Sequence, residues 1–205
     1  MVAAERLAEI EVLLRGLSAA QRGALLKAVT ELFLESAKSY KPAQINLFGR
    51  LFCQLIHDTD AEALANLSRR LAPIANAPIE TIDQLAKSDD INVAEPVIMR
   101  SPCLHDSMLA EIAQSKGQTH LLALACRPQL AAPIVDVLIA RGDDVAVRYV
   151  ANNRGAQISE ASAAALAERA KGDDALADLI VKRSDIPAPI RKAIFAAKVK
   201  SSAAA

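Results

Sequence analysis

What the chain has little of narrows its reading first. It contains no Trp, and aromatic residues make up 3% of it. A composition with few aromatic anchors, rich in Ala and Leu, points to helices. Three cysteines are an odd number in no framework pattern, so a disulfide-stapled secreted fold is excluded and a reducing compartment is expected. Neither sign of charge is in excess, with 24 Lys plus Arg against 24 Asp plus Glu. No global field therefore directs the chain to nucleic acid or to an anionic membrane. No run approaches the ~18 uncharged apolar residues that span a bilayer. Met1 to Ile10, interrupted by Glu5, Arg6 and Glu9, has no apolar stretch of signal-peptide length. A soluble cytoplasmic protein is the expectation. Phosphate-binding, nucleophile-elbow, zinc-protease and dinucleotide motifs are all absent, so neither an enzymatic activity nor a cofactor is expected.

What is present is a repeat. Leu85, Ile112, Leu138 and Leu166 follow one another at 27, 26 and 28 residues. Ile98, Leu124, Val150 and Ile180 recur at 26, 26 and 30, and Met99, Ala125, Ala151 and Val181 keep the same step beside them. Such a period marks a solenoid, in which each unit buries its apolar face only against its neighbours. Each unit has room for two helices of about ten residues, a length that is marginal in water without packing.

Turn residues fall where this reading needs them. Ser88-Asp89-Asp90, Gly142-Asp143-Asp144 and Gly172-Asp173-Asp174 separate the paired helices, with Ser115-Lys116-Gly117 as the deviant. Gly closes one helix in the left-handed conformation and Asp caps the next. Arg100-Ser101-Pro102, Arg127-Pro128, Asn153-Arg154-Gly155 and Arg183-Ser184-Asp185 end the units. Pro133 and Pro189 suit first helical turns, and a helix starting near Asn92 would hold Pro96 in its first turn as well.

The period does not extend into residues 1–76. There the pattern predicts a helix over 4–15, a second capped by Ser18, a third opened by Pro42 and a fourth capped by Asp60. The expected architecture is all-α: an N-terminal helical bundle (1–76) capping an α-solenoid of four to five helix pairs (77–197), then a frayed tail (198–205). The bundle is equally suited to pairing with a second copy, as a homodimer.

Few residues invite a chemical role. Cys103, His105, His120 and Cys126 are zinc-ligand types at a spacing that matches no compact zinc site, so no metal is expected, and Cys126 lies in an apolar run that suits a small hydrophobe. His120 shares a column with Ala94, Ala146 and Leu176 and is expected at the core edge, hydrogen-bonded to a neighbouring turn. Alternatively, His120 and Gln118 form polar contacts in a groove, as a small-ligand or catalytic site. Arg100, Arg127, Arg154 and Arg183 recur at 27, 27 and 29. Stacking would align them on an edge able to bind an anion or nucleic acid, although cations at helix C-termini also simply complement the macrodipole. Arg100, Arg127 and Arg183 are the candidates retained.

These residues also carry a resemblance. Asn76-Ala77-Pro78, Asp90 with Ala94 and Pro96-Val97, Ser101-Pro102 and Leu104, then Gln118-x-His120-Leu121, Arg141-Gly142-Asp143 and Asn153-x-Gly155-Ala156 resemble the bacterial family known as domain of unknown function 2336. The likeness runs from the second N-terminal helix to about residue 185, departing at Arg154, where many members have proline. It implies no activity, but raises Gln118 and His120 as binding candidates. The units also resemble degenerate HEAT-type and leucine-rich-variant repeats, which implies a right-handed superhelix and a binding role. The expected function is a non-enzymatic scaffold or signalling adaptor for another protein, with nucleic acid and membrane disfavoured as partners.

Overall fold

A computed structural model of the chain describes residues 16–202. The helix expected over 4–15 lies outside the described residues, as do Ala203 to Ala205. The chain divides into two compact units, Met1–His105 and Asp106–Ala205. Among the described residues the fold is all-α, with twelve α-helices, a short 3-10 turn at Ala37–Ser39 and no strand.

The first unit holds α1 (Ala19–Ser36), α2 (Pro42–Ile56), α3 (Ala61–Leu71), α4 (Ile79–Ala86) and α5 (Ile91–Arg100). Their starts follow the capping residues. Ser18 and Gln21 cap α1 reciprocally, with the Gln21 side chain accepting from the Ser18 N–H at 2.9 Å. Asp60 accepts from the Ala63 N–H at 2.8 Å to open α3, and Asp90 from the Asn92 N–H at 2.9 Å to open α5. Because α5 starts at Ile91, Pro96 is its sixth residue rather than part of the first turn, and one ladder bond of this helix is lost. Helices α1 and α2, α3 and α4, and α4 and α5 pack as consecutive neighbours, and helices two apart also pack: α1 on α3, α2 on α4, α3 on α5. Phe33, Phe48, Phe52 and Tyr40 form the bulky part of this core, with ring centroids 5.1–6.2 Å apart.

The second unit comprises α6 (Asp106–Ser115), α7 (Gln118–Ala125), α8 (Ala132–Arg141), α9 (Asp144–Asn152), α10 (Glu160–Arg169), α11 (Asp174–Val181) and α12 (Ala188–Ser202). The alternation is regular here. One row is formed as α6 packs on α8, α8 on α10 and α10 on α12; the other as α7 packs on α9 and α9 on α11. The periodic residues are the reason: Ile112, Leu138 and Leu166 are buried in the first row, and Leu124, Val150 and Ile180 in the second. Each such side chain contributes roughly 1.5–3 kcal/mol on burial, which holds helices too short to stand alone.

Asp143, Ser159 and Asp173 cap α9, α10 and α11, accepting from backbone N–H groups at 2.8, 2.9 and 3.0 Å. Gly172 has φ +86°, the left-handed close expected of it. Gly142 differs. Its φ is −66°, and it is glycine for lack of space: a Cβ there would lie 2.5 Å from the Leu138 carbonyl oxygen. Gly155 is tighter, since a Cβ would fall 1.9 Å from the Pro128 oxygen. That close approach allows a parallel bridge between Leu130 and Ala156, with Leu130 N–H donating to the Gly155 carbonyl at 3.1 Å and Gln157 N–H to the Leu130 carbonyl at 2.9 Å.

Candidate functional site

The polar residues at helix ends are used mainly to join one helix pair to the next. An α-helix leaves its last carbonyls without intrahelical donors. Here the segment that follows one second helix reaches back to the carbonyls behind the preceding one. In the first unit the Cys103 thiol lies 3.4 Å from the carbonyl oxygens of Ile74 and Ala75, and Asn76 donates through Nδ2 to the Ala37 carbonyl. In the second unit Asn153 Nδ2 donates to the carbonyls of Ala125 at 3.2 Å and Arg127 at 2.6 Å.

Arg183 does the same work at larger scale. It is 1% exposed, and its Nη1 donates to the carbonyls of Ala151 at 3.3 Å and Asn153 at 2.5 Å. Nη2 donates to the Ala156 carbonyl at 2.8 Å and to Asp185 Oδ2 at 2.6 Å, while Nε meets Asp185 Oδ1 at 3.0 Å. That bidentate pair neutralises the buried guanidinium. Hydrogen bonding from Arg183 is the main cause that holds the Asp185 carboxyl below its usual range.

A second set of arginines joins the first-row helices, and the sequence reading missed it. Arg141, ending α8, donates to the carbonyls of Ala113 and Lys116 behind α6. Arg169, ending α10, donates to the carbonyls of Ile139 at 2.7 Å and Gly142 at 2.8 Å behind α8, and reaches Asp144 at 3.1 Å. The signal was available: each arginine stands three residues after a periodic leucine, Leu138 or Leu166.

The other candidates fall in different surroundings. Gln118 is exposed at the start of α7, yet its amide is engaged at both ends, donating to the Arg141 carbonyl at 2.9 Å and accepting from the Asp143 N–H at 2.8 Å. His120 is buried at 4% exposure, with Nδ1 3.4 Å from the Thr119 hydroxyl. Arg100 is exposed at the end of α5. Arg127 is half-buried; burial pushes its pKa down, opposed by the nearby Asp106 carboxylate. Arg183 therefore turns inward while Arg154 stays exposed and donates to the Lys182 carbonyl at 3.0 Å.

Further electrostatics are equally local. Asp173 is partly desolvated, which would raise its pKa, but the Leu176 N–H and the Arg148 guanidinium, 2.9 Å away, together hold it below the usual carboxylate range. Burial pushes the Cys53 thiol up against the opposing Thr81 hydrogen bond, which disfavours the reactive thiolate. No group of three or more His, Cys, Asp or Glu side chains is placed to hold a metal ion among the described residues.

The concavities do not gather these residues. A cleft of about 330 Å³ between α1 and α3 is lined by Lys27, Thr30, Asp60, Asn66 and Arg69 among others. Another lies beside the Gly172 turn, and one of about 350 Å³ lies beside α12, between Val181, Arg191 and Phe195. Neither Gln118 nor His120 lines any of them. The outer surface is more suggestive. Val145 and Tyr149, one turn apart on α9, are 48% and 50% exposed. They lie on the central helix of the second row, between α7 and α11.

The family described as an uncharacterised protein conserved in bacteria (DUF2336) matches residues 93–204, just over half of the chain. The chain belongs to this family. The matched segment includes Gln118, His120, both sets of joining residues in the second unit, and the Val145 and Tyr149 surface. It begins after Asn76-Ala77-Pro78 and Asp90 and continues beyond residue 185 through α12. No curated protein and no solved structure matches the chain. No helix among the described residues is long and apolar enough to cross a membrane.

Proposed function

We propose that this chain is a non-enzymatic protein-binding module, a HEAT-like right-handed solenoid of helix pairs that serves as a cytoplasmic scaffold or adaptor. The observation that carries the reading is the exposed Val145 and Tyr149 pair in the middle of the α7, α9 and α11 row. Aromatic side chains that present a large rigid area with a polar tip are enriched among residues that dominate protein interfaces. Stacked helix pairs supply an extended face for such contacts. The polar groups at helix ends are taken up by neighbouring carbonyls, which favours a surface of contact over a catalytic pocket.

The test is affinity capture from nuclease-treated extract of the source cells, comparing the full-length chain with its Tyr149→Ala and Val145→Ser variants. A specific protein held by the unaltered chain and released by both variants supports the reading. Retention by the variants at the same level, or loss of all bound protein after nuclease, counts against it.

A further inference from the structure

The repeat columns mark a second surface, made of residues other than Val145 and Tyr149. Ile194, 28 residues after Leu166, extends the column of Ile112, Leu138 and Leu166, and it is buried as they are. The residues that directly follow these four are Ala113, Ile139, Ala167 and Phe195. Ala113 and Ile139 are 0% and 2% exposed and Ala167 is half-buried, but Phe195 is 58% exposed. The second row shows no such step: Ala125 and Ala151 are each 1% exposed, and Met99 and Val181 at the two ends of the same column are both half-buried.

In earlier pairs the next pair supplies the cover, with α10 against α8 and α12 against α10. Among the described residues α12 packs mainly on α10 and α11. Phe195 thus stands at a position that is covered in the earlier pairs, and it borders a single cleft with Val181, Ala188, Arg191 and Lys192. Val199, 52% exposed one turn beyond Phe195, prolongs the apolar strip.

Charge selects the occupant. Residues 188–202 contain Arg191, Lys192, Lys198 and Lys200 and no Asp or Glu. Lys198 is engaged by Asp178 and Arg191 donates to the Ile186 carbonyl at 2.9 Å, while Lys192 is exposed beside the cleft. A second copy seated through the same edge would bring Arg191 and Lys192 against themselves, which is repulsive. A flat anionic bilayer would not fill a cleft of about 350 Å³ between two helices.

We propose that this edge, Val181, Ala188 and Arg191 to Val199, receives an amphipathic α-helix with an acidic border from another protein. The incoming helix lies along α12 as one more member of the first row. Its apolar side chains cover Phe195 and Val199, and its carboxylates face Arg191 and Lys192. Helix-in-groove recognition of this kind is read through anchors at i, i+3, i+4 and i+7. Because α12 is 15 residues long, an occupant of about four turns is matched to it.

The test uses the full chain and fluorescein-labelled peptides of ~18 residues, about five helical turns. One carries Leu at helical spacing with Glu flanks, a second replaces Glu by Lys, and a third scrambles the first. Fluorescence anisotropy is expected to show saturable micromolar binding of the first peptide alone. Phe195→Asp should weaken it about tenfold or more, as for loss of an aromatic anchor, and Lys192→Glu several-fold. Tyr149→Ala should leave it unchanged, so failure here is separable from failure of the Tyr149 surface. Phe195→Ser serves as a second variant, and a thermal melt by circular dichroism checks that both fold.

No saturable binding, equal binding of the scrambled peptide, or indifference to both Phe195 variants would overturn the proposal. So would a dimer in sedimentation equilibrium that Phe195→Asp dissolves, which would assign the edge to a second copy. Phosphatidylglycerol vesicles that bind the chain but not Phe195→Asp would assign it to lipid instead.

Discussion

Arg183 shows how little a residue's type says about the direction it faces. At the end of a helix, an arginine can extend into solvent and complement the macrodipole or fold back onto carbonyls of a neighbour. Spacing along the chain is the same in either case. The buried alternative leaves several carbonyls dependent on a single side chain, so Arg183→Met is expected to cost about 3 kcal/mol or more, read from urea unfolding. Gly155→Ala should cost more than about 2 kcal/mol in the same measurement, because the Pro128 backbone has to move to admit a methyl group. Gly142 and Gly155 look alike as turn glycines in sequence. Gly142 is crowded by the Leu138 carbonyl of the helix it ends, whereas the need for glycine at Gly155 is set by the Pro128 backbone brought from a distant part of the chain, which no local pattern reveals.

Two carboxylates give the residue scale a pH dependence. Asp173 and Asp185 are both held below the usual range in the folded state. The unfolded chain therefore binds more protons than the folded chain as pH falls toward the unfolded carboxylate value of ~3.9. Their contribution is fully present above that pH and is lost as pH drops through the folded values. Arg148→Met should flatten this acid limb of stability while leaving the part due to Asp185, as urea midpoints between neutral and acid pH would show.

At the scale of elements, the helix starts were legible because a cap is a local device. Ser18, Asp60, Asp90, Asp143 and Asp173 each act within three residues of themselves. Helix-to-helix joints were not, because they link residues 23 to 39 apart through side chains that could have turned either way. The Arg141 and Arg169 joints belong to this class. Arg169 is 28% exposed at its side chain and spans three acceptors on α8 and α9. Arg169→Met is expected to destabilise by about 1–2 kcal/mol through the lost carbonyl bonds, whereas Asp144→Asn, removing an exposed ion-pair partner, should change stability by less than about 0.5 kcal/mol. Chemical unfolding of the two variants side by side tests whether the backbone bonds or the ion pair dominate.

For the whole molecule, packing of each helix on those two positions away predicts a gradient of stability within the second compact unit. Helices α8 and α9, flanked on both sides, should show the slowest amide exchange, and α12 the fastest. Uniform protection across that unit would show that it unfolds as one block. The all-α class, the period near 27 residues and most helix starts were determined by the sequence itself, since they rest on apolar spacing and caps that act over a few residues. The tertiary structure alone decided which arginines face inward, why Gly155 is a glycine, and which apolar residues stay exposed at Tyr149 and Phe195. The physical reason is that burial of a side chain depends on what packs over it. A repeat places Phe195 in the same column as Ile139 but cannot say that one is 58% and the other 2% exposed.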